Sequence, residues 1–182
     1  PYVVMHPGAH LGSNVDEALE RVAKNLDRAL LESRTEHVMV LLENTAGQGT
    51  TLGRSFKELA GIIQSSGNAD RLGVCIDTCH AYAAGYDLAT EEGYAATFAE
   101  FEMVVGMDRL KFMHLNDSKG ALGSHLDRHD HIGQGLLGEK TFARLINDPR
   151  FIDLPMVLET PKGEDLAEDV KNLEVLYRLI IA

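Results

Sequence analysis

The chain has 182 residues, of which 45% are hydrophobic and 25% charged, with a formal net charge of −11 at pH 7. This length and composition allow a buried core and one domain, residues 1–182, and they exclude a disordered protein. The absence of an apolar run of roughly 20 residues argues against a membrane-spanning helix, and two cysteines are too few for a disulfide scaffold, so we expect a soluble, cytoplasmic protein.

Five apolar segments of strand length alternate with helical patterns along the chain. The apolar segments are 2–5, 38–42, 72–76, 110–113 and 155–158, and the helical patterns cover 15–30, 55–64, 91–105, 139–146 and 164–181. Ser13 or Asn14 is a candidate N-cap for the first helix, and Thr90 for the third. Continuous apolar strands separated by helices are typical of a parallel sheet that is buried on both faces. The sequence therefore predicts an α/β fold of the (β/α) TIM-barrel type.

The number of units is smaller than a closed barrel requires. Eight βα units typically take about 250 residues, whereas this chain offers about five. The sequence also opens at Pro1 inside an apolar run, without an initiator Met. We expect an N-terminally truncated chain that holds the C-terminal part of a barrel.

Each of the five apolar segments is followed by a potential metal ligand. These residues are His6, Glu43, Asp77, His114 and Glu159. In a parallel barrel the carboxyl ends of the strands meet on one face, where the side chains converge. A single His or Asp at a strand end is ordinary, but imidazoles and carboxylates crowded on one rim are costly unless a cation satisfies them. The joint pattern predicts a metal centre.

Three further candidate ligands lie in loops beyond the strand ends: His80, in CIDTCH, and Asp127 with His129, in LDRHDHIG. Mixed imidazole and carboxylate ligands favour zinc or another borderline transition metal, with manganese as an alternative. Cys75 and Cys79 flank Asp77, but oxygen and nitrogen ligands are plentiful, so we do not expect the thiols to bind metal. Since bound cations would neutralise several carboxylates, the acidic net charge neither supports nor excludes a nucleic-acid partner.

Two loops carry further candidates. Gly47 and Gly49 predict a tight turn after Glu43, where Asn44 and Gln48 are candidate substrate contacts. The longest stretch without a predicted element is 116–138, and such a long connection is usually functional. Exposed cations in or near these loops are candidates for phosphate contacts: Lys57, Lys119 and Arg128.

Six segments of the chain, in order, closely resemble the signature segments of endonuclease IV. They are HPGAH, LLENTAGQG, GVCIDTCHAYAAGYD, FMHLNDSK, LDRHDHIGQG and LPMVLET. The resemblance implies a TIM-barrel phosphodiesterase of DNA repair that holds up to three zinc ions. It also implies that the enzyme incises double-stranded DNA on the 5′ side of an abasic site, leaving a 3′-hydroxyl and a 5′ deoxyribose phosphate.

The resemblance also implies a role for each of the eight candidate ligands. The first zinc takes His6 and Glu43, the second Glu43, Asp77, His114 and Glu159, and the third His80, Asp127 and His129. Glu43 and Glu159 are the residues that we predict to be catalytic. The family's first zinc takes another histidine from an earlier strand that this sequence lacks, which leaves the first site incomplete and the activity of the isolated chain open.

Two other interpretations stay open. The first is a metal-dependent sugar isomerase or epimerase of the same barrel superfamily, which has no need for the set formed by His80, Asp127 and His129. The second is a non-catalytic, metal-binding fragment, whose missing strands would leave open sheet edges. For the intact protein we expect a monomer whose partner is double-stranded DNA with abasic sites, and we expect no membrane partner.

Overall fold

A computed structural model describes residues 1–181 and contains six α-helices, three short 3-10 helices and seven strands within that range. The strands are β1 (Tyr2–Met5), β2 (Met39–Glu43), β3 (Leu72–Asp77), β4 (Leu110–His114), β5 (Asp117–Ser118), β6 (His129–Asp130) and β7 (Met156–Val157). The helices are α1 (Val15–Ser33), α2 (Phe56–Ser65), α3 (Thr78–Ala84), α4 (Glu91–Val104), α5 (Gly138–Ile146) and α6 (Ala167–Leu179).

The main sheet has five parallel strands in the order β1-β2-β3-β4-β7. Its register pairs Met5 with Leu42, then Glu43 with Cys75, and Asp77 with His114. All five predicted strands are present: β1 has the predicted bounds, and no end of the other four strands differs from its predicted position by more than one residue. The chain therefore forms part of a TIM barrel, as predicted.

The helices begin where polar side chains satisfy free backbone N–H groups. Asn14 caps α1 by accepting a hydrogen bond from the backbone of Glu17, and Ser55 and Thr90 cap α2 and α4 in the same way. The apolar faces of these helices bury against one face of the sheet. Leu42, from β2, is fully buried in this core, and so are residues of β3 and β4. This packing fixes the strand ends that carry the candidate site.

The other face of the sheet is concave. The rings of Tyr2, in β1, and Phe112, in β4, lie 6.5 Å apart between centroids, in an edge-to-face arrangement. These two strands are separated by three strand spacings, which would be about 14 Å in a flat sheet. Strong curvature therefore brings the strands toward one another, and it brings their carboxyl ends together as well.

The structure corrects three expectations. Helix α3 follows β3 directly and was not predicted, and α6 begins three residues later than predicted, after Leu166 with φ of 56°. The stretch 116–138 is not structureless, because β5 and β6 pair in it as antiparallel strands. The buried carboxylate of Asp117 organises this loop, since it accepts hydrogen bonds from four backbone N–H groups: those of Ser118, Gly133, Leu137 and Gly138.

None of the helices within residues 1–181 is both long enough and apolar enough to cross a bilayer.

Candidate metal centre

The carboxyl ends of the strands bring the five predicted strand-end residues to one rim. Glu43, Asp77 and His114 are the last residues of β2, β3 and β4, while His6 follows β1 by one residue and Glu159 follows β7 by two. Four of these residues have ligand atoms that all lie within 4.8 Å of one another: Glu43, Asp77, His114 and Glu159. We call this set the central group.

In the central group, carboxylates surround one imidazole nitrogen. Nδ1 of His114 lies 2.9 Å from Oε1 of Glu43 and 3.1 Å from Oε2 of Glu159. The nearer oxygen of Asp77 lies 3.9 Å from the same nitrogen. A single proton on this nitrogen cannot satisfy the oxygens of three carboxylates at once. The arrangement is therefore suited to a cation with one nitrogen and several oxygen ligands.

The loop residues form a second set with the same spacing, which we call the loop group: His80, Asp127 and His129. Nε2 of His80 lies 3.3 Å from Nε2 of His129 and 3.2 Å from Oδ1 of Asp127. Nδ1 of His80 faces the carbonyl oxygen of Asn44 at 3.0 Å, and Nδ1 of His129 faces that of Glu159 at 3.0 Å. Since a carbonyl only accepts, both Nδ1 atoms are protonated and both Nε2 atoms point into the group.

This tautomer assignment tests whether a metal fits. In the neutral form that binds metal, His80 and His129 keep the proton on Nδ1, so their two Nε2 lone pairs and the Asp127 carboxylate are directed toward one another. A metal-binding histidine commonly donates its other ring N–H to a carbonyl, as both do here. The donor set of two nitrogens and one oxygen suits zinc. The residues of the loop group therefore fit a divalent cation.

A third set joins these two groups. Oε2 of Glu43 lies 3.2 Å from Nε2 of His6, and Oε1 of Glu43 lies 3.4 Å from Nδ1 of His80. The structure thus places His80 near His6 and Glu43 as well as in the loop group. Because Nδ1 of His80 donates to Asn44, its free nitrogen faces the loop group.

In the metal-free site, protons on the histidines balance the charge of the carboxylates. Burial alone would lower the pKa of His80, but the charge of Asp77 and a hydrogen bond with Asp127 raise it to about 11. For His114, burial again acts in the opposite direction, and contacts with Cys75 and Glu159 help to raise its pKa to about 12. A negative potential that holds protons this strongly also attracts divalent cations.

The acids respond in the opposite sense. Burial would raise the pKa of Glu43, but hydrogen bonds from His114 and His6 lower it far below its usual range. Hydrogen bonds with histidines also lower the pKa values of Asp127 and Glu159. These carboxylates are therefore ionised near neutral pH, which is the form that binds metal.

The site is buried on one side and open on the other. The side chains of Glu43 and Asp77 are 6% and 0% exposed, whereas those of Asp127 and Glu159 are 44% and 48% exposed. His6 is also half-exposed. A ligand from solvent can therefore reach the metal-binding atoms from the side of the loops, while the buried residues fix their positions.

Three polar side chains that are not among the eight candidate ligands hold the site together. Asn44 is buried and forms two hydrogen bonds with the main chain of Asp77, so it has a structural role in place of the expected substrate contact. Asn116 donates to Asp77, and the Asp117 carboxylate anchors the loop that carries Asp127. Their partners are distant in sequence, and the only sequence signal is their position beside a strand-end ligand.

The sequence also singled out a cysteine pair, a glycine turn and three cations. Cys79 lies near Asp77 and His129 with metal-ligand spacing, although burial raises the pKa of its thiol to about 11. Gly47 and Gly49 adopt positive φ, as the predicted turn requires. The three cations predicted to contact phosphate are exposed, and two of them, Lys119 and Arg128, lie in the loop between β5 and β6.

The sequence of this chain is similar to sequences of known proteins. A family model described as a xylose isomerase-like TIM barrel matches residues 1–178. The probable endonuclease 4 of Chloroflexus aurantiacus is 54% identical over 180 residues, which cover 99% of this chain and 63% of that protein. The probable endonuclease 4 of Geobacter sulfurreducens is 49% identical over 178 residues, which cover 98% of this chain and 60% of that protein.

Solved structures agree. The crystal structure of endonuclease IV from Thermus thermophilus superimposes with a TM-score of 0.82 at 42% identity, covering 98% of this chain and 61% of that one. A D-tagatose 3-epimerase-like protein, with a TM-score of 0.70 and 23% identity, shares the fold. The chain spans slightly more than three fifths of the length of most of these relatives. By sequence and fold together, it belongs to the endonuclease IV family of xylose isomerase-like TIM barrels.

Proposed function

We propose that this chain is the zinc-binding part of a DNA-repair endonuclease that hydrolyses the phosphodiester bond on the 5′ side of abasic sites. The observation that carries the proposal is the convergence of the central and loop groups at one rim of the sheet. Eight side chains selected from the sequence meet there, in a chain whose relatives include an endonuclease IV of solved structure. We further propose that residues 1–182 form one domain, the C-terminal part of the barrel.

The geometry supports a role for each ligand. Glu43 directs its two oxygens to different histidines, His114 and His6, so it is suited to bind two ions. The loop group offers a separate set of three ligand atoms. Bound zinc would polarise the phosphodiester and make water a stronger nucleophile near neutral pH. Manganese remains the alternative metal for the same ligands.

The protein's own residues prepare the site for an anionic substrate. Without cations, the carboxylates of the rim would repel a phosphate group, so DNA binding at this position requires bound metal. Glu159 and Asp127 are half-exposed and stand where substrate enters, and we propose Glu159 and Glu43 as the catalytic carboxylates. We propose that Arg128 and Lys119, which are exposed in the neighbouring loop, contact the DNA backbone.

The loop group also separates the two enzymatic interpretations. A sugar isomerase or epimerase site has no need for the loop group, yet His80, Asp127 and His129 have ligand atoms within 4.8 Å of one another. This contact favours the endonuclease. The third interpretation, a non-catalytic fragment, predicts association through the unpaired edges of β1 and β7, which size-exclusion chromatography measures directly.

The test is a nicking assay with the 182-residue chain and a labelled duplex that carries one abasic site. We expect a zinc-dependent nick on the 5′ side of the lesion, no nick after chelation, and no nick in a duplex without the lesion. Asp127→Asn should lose the nick, whereas Asp153→Asn, an exposed position outside the site, should keep it. A chain that binds zinc and yet leaves the abasic duplex intact would show that these residues are not active by themselves and would confine the proposed activity to a longer protein.

A further inference from the structure

Asn116 is fully buried in the segment after β4, and its amide group faces two members of the central group. Its Nδ2 donates to Oδ2 of Asp77 at 2.6 Å, and its Oδ1 accepts from the backbone N–H of Glu159 at 2.8 Å. The two partners come from different strands, 39 and 43 residues away in sequence. One short side chain thus connects the ends of β3 and β7.

The backbone of Asn116 is itself fixed. Oγ1 of Thr78 accepts from the backbone N–H of Asn116 at 2.9 Å and lies 2.6 Å from its carbonyl oxygen, to which it donates. Since Thr78 is the first residue of α3, this contact ties Asn116 to the helix that carries His80. The amide group has little freedom to move independently of the site.

The contact with Asp77 determines how its carboxylate is turned. Oδ1 of Asp77 accepts from the backbone N–H of His80 at 2.8 Å, and Oδ2 accepts from Asn116. With one hydrogen bond on each oxygen, the carboxylate plane is set, and the remaining lone pairs are available to the central group. The amide of asparagine carries its donor and its acceptor on separate atoms, so it can donate to Asp77 and accept from the backbone of Glu159 at the same time.

We propose that Asn116 is a positioning residue of the metal centre, which fixes the carboxylate of Asp77 and the main chain of Glu159 for binding of a cation by the central group. This inference rests on the metal-binding part of the proposed function. Partners of this kind, which hydrogen-bond to metal ligands, typically change metal affinity about 10- to 100-fold when they are removed.

The experiment is a titration of the metal-free chain with Co²⁺, followed by its visible absorption, on the unmodified chain and two variants. Asn116→Asp has the same shape and keeps an acceptor for Glu159, but it replaces the donor to Asp77 by a carboxylate oxygen. Asn116→Ala removes both hydrogen bonds without adding charge. The matched control is Asn147→Asp, because Asn147 also donates to main-chain carbonyls and accepts from a backbone N–H, at the end of α5.

We expect both Asn116 variants to bind Co²⁺ at the central group about 10- to 100-fold more weakly, with an altered absorption band, and Asn147→Asp to bind like the unmodified chain. Circular dichroism of each metal-free variant shows whether it is folded at the temperature of the titration. Unchanged Co²⁺ affinity in a folded Asn116 variant would overturn the proposal. So would loss of folding in both Asn116 variants but not in Asn147→Asp, because Asn116 would then be a residue of the general structure.

The nicking assay on the unmodified chain separates this inference from the proposed function. A chain that fails to nick, but whose Co²⁺ affinity depends on Asn116 as expected, would reject endonuclease activity of the isolated chain and leave the positioning role in place. A chain that nicks, but whose Co²⁺ affinity is indifferent to Asn116, would do the reverse.

Discussion

Replacing Asp117, in β5, by alanine should destabilise the chain more than any single carboxylate substitution in the loop between β5 and α5. Its carboxylate is fully buried and accepts four backbone hydrogen bonds. Oδ1 accepts from the N–H groups of Ser118 and Leu137, which are buried, while Oδ2 accepts from two glycines that are partly exposed. Alanine leaves all four donors without this partner.

The expected loss follows from which donors can reach water. The two partly exposed glycine N–H groups can bind solvent instead, so the cost comes mainly from Ser118 and Leu137. A buried unsatisfied donor costs about 1–3 kcal/mol, which gives a loss of about 2–6 kcal/mol for the pair. Asp117→Asn should cost less, because its single oxygen can still accept from the buried pair.

Urea unfolding of the metal-free chain, followed by circular dichroism, measures these differences. Asp153→Ala provides the control, because Asp153 is exposed and surface substitutions usually change stability by less than about 0.5 kcal/mol. The order of stability should be unmodified chain, then Asp117→Asn, then Asp117→Ala. If Asp117→Ala were as stable as Asp153→Ala, the carboxylate would not be what organises this loop.

Three further predictions test other parts of the structure. Gly135→Ala should lose about 1–3 kcal/mol in urea unfolding, because a Cβ there would meet two oxygen atoms of β5 at 2.5 Å, whereas Gly61→Ala, inside α2, should not lose stability. Burial would raise the pKa of Asp27, but hydrogen bonds from Asn68 and its neighbours lower it below the usual value. The unmodified chain should therefore be more stable than Asp27→Asn near neutral pH, and this difference in unfolding free energy should shrink as the pH falls below the usual aspartate pKa. A gap that stays constant with pH would contradict this. Asp127→Asn should lose the zinc ion of the loop group in native mass spectrometry, and an unchanged zinc content would argue against that group as a metal site.

The strands and the convergence of the strand-end residues could be predicted because they depend on local patterns. The apolar run before Glu43 and the one before Asp77 each show a buried strand, and parallel strands necessarily bring their carboxyl ends together. Convergence of these residues therefore followed from topology alone. The cap residue of α4, Thr90, was predicted for a similar reason, since it precedes an acidic first turn.

Other features depend on contacts between distant segments, which leave no periodic signal. Helix α3 has seven residues, too few to be stable alone, and it forms because Asp77 caps it and the core buries most of it. The β5–β6 pair is two residues long and exists because Asp117 folds the surrounding loop. The roles of Asn44 and Asn116 likewise depend on partners more than 30 residues away.

The double use of Asp77, as N-cap of α3 and as a member of the central group, makes the spacing in this segment a constraint in its own right. The cap sets the residue at which α3 begins, and His80 is the third residue of that helix. Each residue added to a helix turns the following side chains by about 100°. An insertion or deletion of one residue between Asp77 and His80 would therefore rotate the imidazole away from Asp127, even though every ligand were still present in the sequence.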